Sequence, residues 1–419
     1  MSTSVTSPPR FRLCSGETWR NPFPMYDDLR ALDPVHRVET AAEGADPGEY
    51  WVLTRHADVW AAASDPETFS SAQGLTVTYG DLEAIGMADH PPMVMQDPPV
   101  HTQFRKLVAR GFTPKQVTDV EPLVRSFVVD RLDEIAQSAD DTVDIVGRLL
   151  KPLPSMVVAY YLGVPEEDWS RFDGWTHAIV GANAAGGMAA AATGAGNATA
   201  EMLGYFSELI EYRKQHPGDD TVSALVEAGK GDDPAGLLSI LAFTFTMVAG
   251  GNDTTTGSLG GSLQLLAANP DQRRILLDDP DLIGPAGEEL LRLTSPAQGL
   301  ARMTTRDVDY PDTPRGPVTI PAGRKVLLCY GSANRDPAKY GPDADRLDVL
   351  RNPRTILTFS HGNHHCLGAA AARMQTRVAL TEILARFPDF DVDESGMRWA
   401  PGNYVRWPEY IPFHPGRRA

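Results

Sequence analysis

Phe359-Ser-His-Gly362-Asn-His364-His-Cys366-Leu-Gly368 is the stretch whose reading decides the fold. A glycine interrupts it, a thiol stands near its end, and the residues that follow, Ala369 to Phe387, carry helical periodicity. A cysteine at the start of a helix meets unpaired N–H groups and a partial positive charge, both of which favour its thiolate. Gly362 and Gly368 permit close backbone approach, to a flat ligand on one side and a packed helix on the other. His364 adds a basic group two positions before the sulfur.

A thiolate held in this way has three chemical uses. As the axial ligand of a haem iron it pushes electron density onto the metal and favours O–O cleavage. With His361, His364 and His365 it would make a zinc site, although the adjacent His365 and Cys366 serve one tetrahedral ion awkwardly. With a histidine partner it would be a nucleophile.

Outward from the loop, Ala249-Gly-Gly-Asn-Asp253-Thr254-Thr255 lies inside a long apolar helix expected over 235–266. Gly250 and Gly251 each cost about 1 kcal/mol relative to alanine there, so a compensating reason is expected. Tight helix packing is one reason; a local distortion that opens a groove is the other. Asp253 and Thr254 place an acid beside an alcohol. Glu289-Leu-Leu-Arg292 puts opposite charges three apart on one helix face, which alone means only an ion pair. In Asp97-Pro-Pro-Val-His101-Thr-Gln-Phe-Arg105, Asp97 reads as a helix cap ahead of two prolines. His101 and Arg105 then share a helix face.

Taken in this order, the stretches resemble the signature motifs of the cytochrome P450 superfamily, in its soluble actinobacterial members. The resemblance covers essentially the whole chain. It implies a mainly α fold with a minor antiparallel β region and a long central helix over the haem. It also implies haem b (iron protoporphyrin IX) on Cys366, within a loop that includes Phe359 and Gly368. His101, Arg105, Arg302 and His364 match the positions that meet the haem propionates. Gly250 and Gly251 would clear space near the iron, with Asp253 and Thr254 as the proton-delivering pair. Many members carry Glu where this chain has Asp253; both relay protons. Glu289, Arg292 and Arg351 match a structural triad that assembles the core. The activity implied is insertion of one oxygen atom from O2 into a hydrophobic small molecule. Electrons would come from a separate ferredoxin or flavodoxin with an NAD(P)H-dependent reductase. A haem-thiolate protein that binds a ligand without turning it over is the rival reading, and the Asp253-Thr254 pair argues against it.

The bulk numbers agree with a large helical enzyme. The 55 acidic and 38 basic residues give a net charge of −17, which excludes nucleic acid or an anionic membrane as the main partner. Three scattered cysteines, Cys14, Cys329 and Cys366, make no disulfide framework and fit a reducing compartment, so the cytoplasm is the expected location. No signal peptide or membrane anchor is read in Met1 to Arg20, and the uncharged run 235–251 reads as a buried helix. No linker divides residues 1–419, so a single domain without a fused reductase is expected. Further helices are expected near 25–32, 56–64, 124–136, 155–162, 173–180, 202–213 and 284–293, with strands near 50–53, 302–308, 318–320 and 325–328. The Ala- and Gly-rich residues 184–200 read as a loose connection or a mobile apolar lid. Pocket walls are expected from 74–95, 178–200, 243–251, 296–300 and 404–407. Arg105, Lys106, Arg110, Lys115, Arg373 and Arg377 would form a basic patch for an acidic redox partner.

Overall fold

Asp233 starts the longest helix of the molecule, Pro234–Ala268, by accepting a hydrogen bond from the Gly236 N–H at 2.7 Å. Pro234 occupies the first turn, where no N–H is needed. The computed structural model describes residues 9–39, 48–84 and 88–416, without the side chains at 81, 84, 110 and 183–194. Length and composition alone would let the central helix cross a membrane. Here the helices Pro152–Leu162, Trp169–Gly194 and Ile283–Thr294 pack around it. Its C-terminal half depends on small residues. A Cβ on Gly257 would lie 2.6 Å from the Arg406 carbonyl, so the helix and the 406–408 segment approach more closely than any larger residue allows.

The main sheet has five strands in the order Val35–Glu39, Glu49–Leu53, Lys325–Leu328, Leu300–Thr304, Phe69–Ser70. Its pairings are antiparallel except that Trp51 to Leu53 run parallel to Val326 to Leu328. Smaller antiparallel sheets complete the β region. The mainly α fold with a minor β region is therefore as expected, down to Val318–Ile320 and Lys325–Leu328.

Some local expectations change. Residues 184–200 are not a loose connection. Their backbone is helical in Trp169–Gly194 and Gly196–Gln215, joined at a turn where Gly196 has φ +39°. Alanine's helix propensity outweighs the interspersed glycines. The lid reading falls largely on side chains outside the described residues, as does 85–87 of the expected pocket loop. The strand expected over 302–308 divides into Leu300–Thr304 and Val308–Tyr310.

Glu289 and Arg292 are fully buried and joined by two hydrogen bonds of 2.7 Å. Arg292 also donates to the carbonyls of Asn334 (2.7 Å) and Ala344 (2.6 Å). Arg351 donates at 3.1 Å to Glu289 Oε1, which Arg292 also engages, and to the Tyr340 carbonyl at 2.8 Å. The three expected triad residues thus meet, and Asp343, 3.0 Å from Arg351, balances the second cation. Arg292→Ala leaves the Glu289 carboxylate stranded in the core and should cost about 3–5 kcal/mol. Arg351→Ala should cost clearly less, because that side chain is 13% exposed. Denaturant unfolding of the two variants checks the ranking, which equal losses would contradict.

Candidate active site

Cys366 ends its loop with the backbone N–H bonded to the Phe359 carbonyl at 2.9 Å. Gly362 has φ +68°, and a Cβ there would lie 2.4 Å from the Ala63 carbonyl, so this glycine is required by the end of helix His56–Ser64. At Gly368, by contrast, no atom lies within 4 Å of where a Cβ would stand. Phe359 is buried beneath the loop, with the Arg373 guanidinium 4.5 Å over its ring. The Cys366 side chain is exposed, yet burial among surrounding protein raises its thiol pKa. Both hold for a sulfur that faces an internal cleft. The Gly368 N–H and the charges of Arg105 and Arg373 pull the other way and favour the thiolate.

Four basic side chains gather near this loop. His101 is 1% exposed and neither of its ring nitrogens has a partner; His364 likewise keeps its Nε2 unbonded. Their ring centroids are 4.2 Å apart. Buried Arg302 donates to the Ala301 carbonyl at 2.8 Å, and Arg105 to the His365 carbonyl at 2.5 Å. Burial, then the charges of Arg302, His101 and Arg105, push His364 down to about 3. Burial and Arg105 push His101 down as well. Asp97 is the acid closest in effect to His101, but it is committed elsewhere. Its carboxylate accepts from the Ser71 N–H at 2.9 Å and from the Ser70 hydroxyl, so it pins the 70–71 turn instead of capping a helix. Unpaired buried donors of one sign are costly unless an anion meets them. This donor set fits a cofactor with two carboxylates, as haem has, held on Cys366.

The zinc reading loses its ligands. His361 stacks on Trp60, and His365 lies beside Phe359. Among the described residues no three His, Cys, Asp or Glu side chains gather as a metal site.

Gly250 is exposed in the middle of the central helix, and no atom lies within 4 Å of its Cβ position. Thr254, one turn on, is half-buried and donates its hydroxyl to the Gly250 carbonyl at 2.8 Å. The helix remains α-helical through this region, so the opening comes from a missing side chain and not from a break. Gly251 does not share the opening: a Cβ there would lie 2.9 Å from Val158 Cγ2, so its role is packing against Pro152–Leu162. Both explanations of the Gly pair are thus realised, one at each residue. Asp253 turns inward, 2% exposed, with Oδ1 unpartnered. Burial pushes its pKa up to about 8, opposed by the charge of Lys151. Lys151 escaped the sequence reading because nothing in the spacing relates it to Asp253.

Several expected pocket walls are laced together. Gln298 N–H donates to the Tyr404 carbonyl at 2.8 Å, Arg406 N–H to the Pro296 carbonyl at 2.8 Å, and Val77 N–H to the Tyr404 hydroxyl at 3.0 Å. The basic patch is weaker than expected. Lys115 pairs with Asp119, Arg377 with Glu121 and Arg373 with Glu288, which cancels their charge locally; the Arg110 side chain lies outside the described residues.

Fold and donor set together are those of a haem enzyme class, and the comparisons identify the family. A profile of the cytochrome P450 family matches residues 287–402. Cytochrome P450 130 of Mycobacterium tuberculosis is 65% identical over 413 residues, 98% of this chain and 99% of that one. Vitamin D(3) 25-hydroxylase of Pseudonocardia autotrophica is 35% identical, over 93% and 92% of the two chains. A Mycobacterium marinum cytochrome P450 solved with pseudoionone superposes with a TM-score of 0.81 at 30% identity, over 93% and 94% of the two chains. The chain belongs to the cytochrome P450 family, a family of monooxygenases whose cofactor is haem.

The two glycines separate in a simple experiment. Gly251→Ala forces a methyl onto Val158 and should cost about 1–3 kcal/mol. Gly250→Ala should be neutral or stabilise by up to about 1 kcal/mol, while it narrows the cleft. Thermal unfolding of both variants checks the contrast, and equal destabilisation would contradict it.

Proposed function

We propose that the chain is a cytoplasmic monooxygenase acting as one catalytic domain on a hydrophobic small molecule, with Cys366 as the iron ligand. The observation that carries this reading is the Cys366 sulfur, open to a cleft while Gly368, Arg105 and Arg373 favour its ionised form. His101, Arg105, Arg302 and His364 would hold the propionates, with Gly368 leaving the backbone bare beside the sulfur. When bound, haem supplies the iron chemistry that activates dioxygen. The protein's own part is to bind, orient and deliver protons. Gly250 leaves the central helix bare beside Thr254, which would leave room for the bound group. Thr254 presents its hydroxyl there, and Asp253, neutral over most of the working pH range, is the proton donor behind it. Apolar walls support a hydrophobic substrate, and so do two relatives: one is named a vitamin D(3) hydroxylase, the other was solved with pseudoionone. Electrons would come from a separate ferredoxin or flavodoxin and an NAD(P)H-dependent reductase.

Cys366→Ser should abolish the thiolate signature in the absorption spectrum of the reduced, carbon monoxide-bound protein; an unchanged spectrum would remove the ligand assignment. Thr254→Ala should divert electrons to peroxide at similar NAD(P)H consumption with surrogate redox proteins. A protein that only binds ligand would show no such change. Because the Asp253 carboxyl lies above its ordinary range, its proton is present below about pH 8 and lost as pH rises through that value. Coupled turnover should therefore decline above about pH 8, and Asp253→Asn should lower turnover and flatten that limb.

A further inference from the structure

The four side chains that suit the cofactor's carboxylates come from three separate elements. His101 and Arg105 lie on helix Val100–Val108, Arg302 on strand Leu300–Thr304 and His364 in the cysteine loop. Helix Val100–Val108 packs chiefly against Met93–Met95, Ala109–Phe112 and Thr221–Glu227, none of which belongs to the sheet that carries Arg302. The dipeptide Gln96-Asp97 joins these parts. The Asp97 carbonyl accepts the His101 N–H at 3.0 Å, in the first turn of that helix. The Gln96 backbone hydrogen-bonds the His364 ring. The half-buried Asp97 carboxylate accepts from the Ser71 N–H at 2.9 Å and from the Ser70 hydroxyl. Ser70 pairs with Met303, the residue after Arg302; the Leu75 carbonyl accepts the N–H of Ala301, the residue before it, at 2.7 Å. The 70–75 segment thus clasps the strand on both sides of Arg302, and Asp97 fastens the histidine helix to that segment. A carboxylate suits this task, because it offers an acceptor to each donor and holds both more strongly than a neutral group.

We propose that Asp97 is a positioning residue for the cofactor's carboxylates, setting His101 and Arg105 at a fixed separation from Arg302 through its bonds to Ser70 and Ser71. The inference rests on reading His101, Arg105, Arg302 and His364 as the holders of those carboxylates. A rigid ligand with two anions is gripped best by donors already spaced to receive it, because ordering them at the moment of binding weakens the grip. Loss of the Asp97 carboxylate leaves each donor on its own element and lets the elements shift relative to one another. The Cys366 sulfur is placed separately, by the bond from its N–H to the Phe359 carbonyl.

The test compares the haem-loaded protein with the same protein loaded with iron protoporphyrin dimethyl ester, whose carboxylates are blocked. The readout is the rate at which cofactor passes to excess apomyoglobin. Asp97→Ala should speed the loss of haem about tenfold. Its reduced, carbon monoxide-bound spectrum should keep the thiolate signature. With the diester, wild type and Asp97→Ala should lose cofactor at the same rate, because the donors then have no anion to hold. Ser70→Ala removes one of the two bonds from outside the donor set and should speed haem loss about threefold. It carries the test should Asp97→Ala fail to fold. Equal acceleration with haem and with the diester means that Asp97 only supports the fold, and overturns the proposal. Unchanged haem loss in both variants, while wild type holds haem longer than the diester, overturns the role of Asp97 alone. If wild type releases haem and diester equally fast, the carboxylate reading of the four cations fails and the role of Asp97 falls with it.

Discussion

The buried pair of Glu289 and Arg292 is the constraint on which the cysteine site depends. Its hydrogen bonds do not end at the pair. Arg292 holds the Asn334 carbonyl, and the Asn334 side chain accepts from the Leu357 N–H at 2.7 Å and donates to the Thr358 hydroxyl at 2.9 Å. Thr358 in turn donates to the Leu291 carbonyl at 2.8 Å, back on the helix that carries the pair. The next residue is Phe359, whose carbonyl receives the Cys366 N–H. A closed circuit thus runs from an ion pair in the core to the loop that presents the sulfur. An ion pair at such depth adds little net stability against an apolar replacement of equal volume. What it contributes here is placement, because each guanidinium N–H has a fixed direction.

Charge around the cleft is arranged with two opposite deficits. On the cysteine side, His101, His364, Arg302 and Arg105 crowd together, and burial with the two guanidinium charges lowers the basicity of both histidines, a state that an anionic ligand would relieve. On the central-helix side, Asp253 is buried with a single opposing cation, a state that favours the neutral acid. The first arrangement would suit a dianionic cofactor; the second would retain a proton, as the proposed function requires. Both are costly by themselves, and both follow from burial acting on titratable groups of opposite sign.

How legible this was in the sequence depended on distance along the chain. The loop around Cys366, the Ala369–Arg386 helix and the Glu289–Arg292 spacing are local, and short-range rules captured them. Strand Val35–Glu39 was missed because its partner lies across residues 40–48 and its own alternation is brief. The Gly250-Gly251 pair offered two explanations, and only the helix Pro152–Leu162 on one side distributes them between the residues. Asp97 looked like a cap because two prolines follow it; its carboxylate is taken by Ser70 and Ser71, more than twenty residues away. Arg373 and Arg377 looked like free positive charge until Glu288 and Glu121 were brought opposite them. In each case the missing information was a contact between distant segments.

The neighbours Asp253 and Thr254 show how one helix serves two environments. Adjacent residues on an α-helix point about 100° apart, so one can be buried while the next lines the cleft. Thr254 uses that difference to put a hydroxyl where Gly250 has left space. Asp253 uses it to place its carboxyl behind the helix, shielded from the cleft and turned toward the 150–151 segment. Exchanging the two residue types would expose the acid to the cleft, where hydration would return it toward its ordinary pKa and it would no longer hold a proton near neutral pH. The order acid-then-alcohol is therefore a consequence of which helix face is packed. That face is set by Val158 against Gly251 and by Leu150 against Thr256.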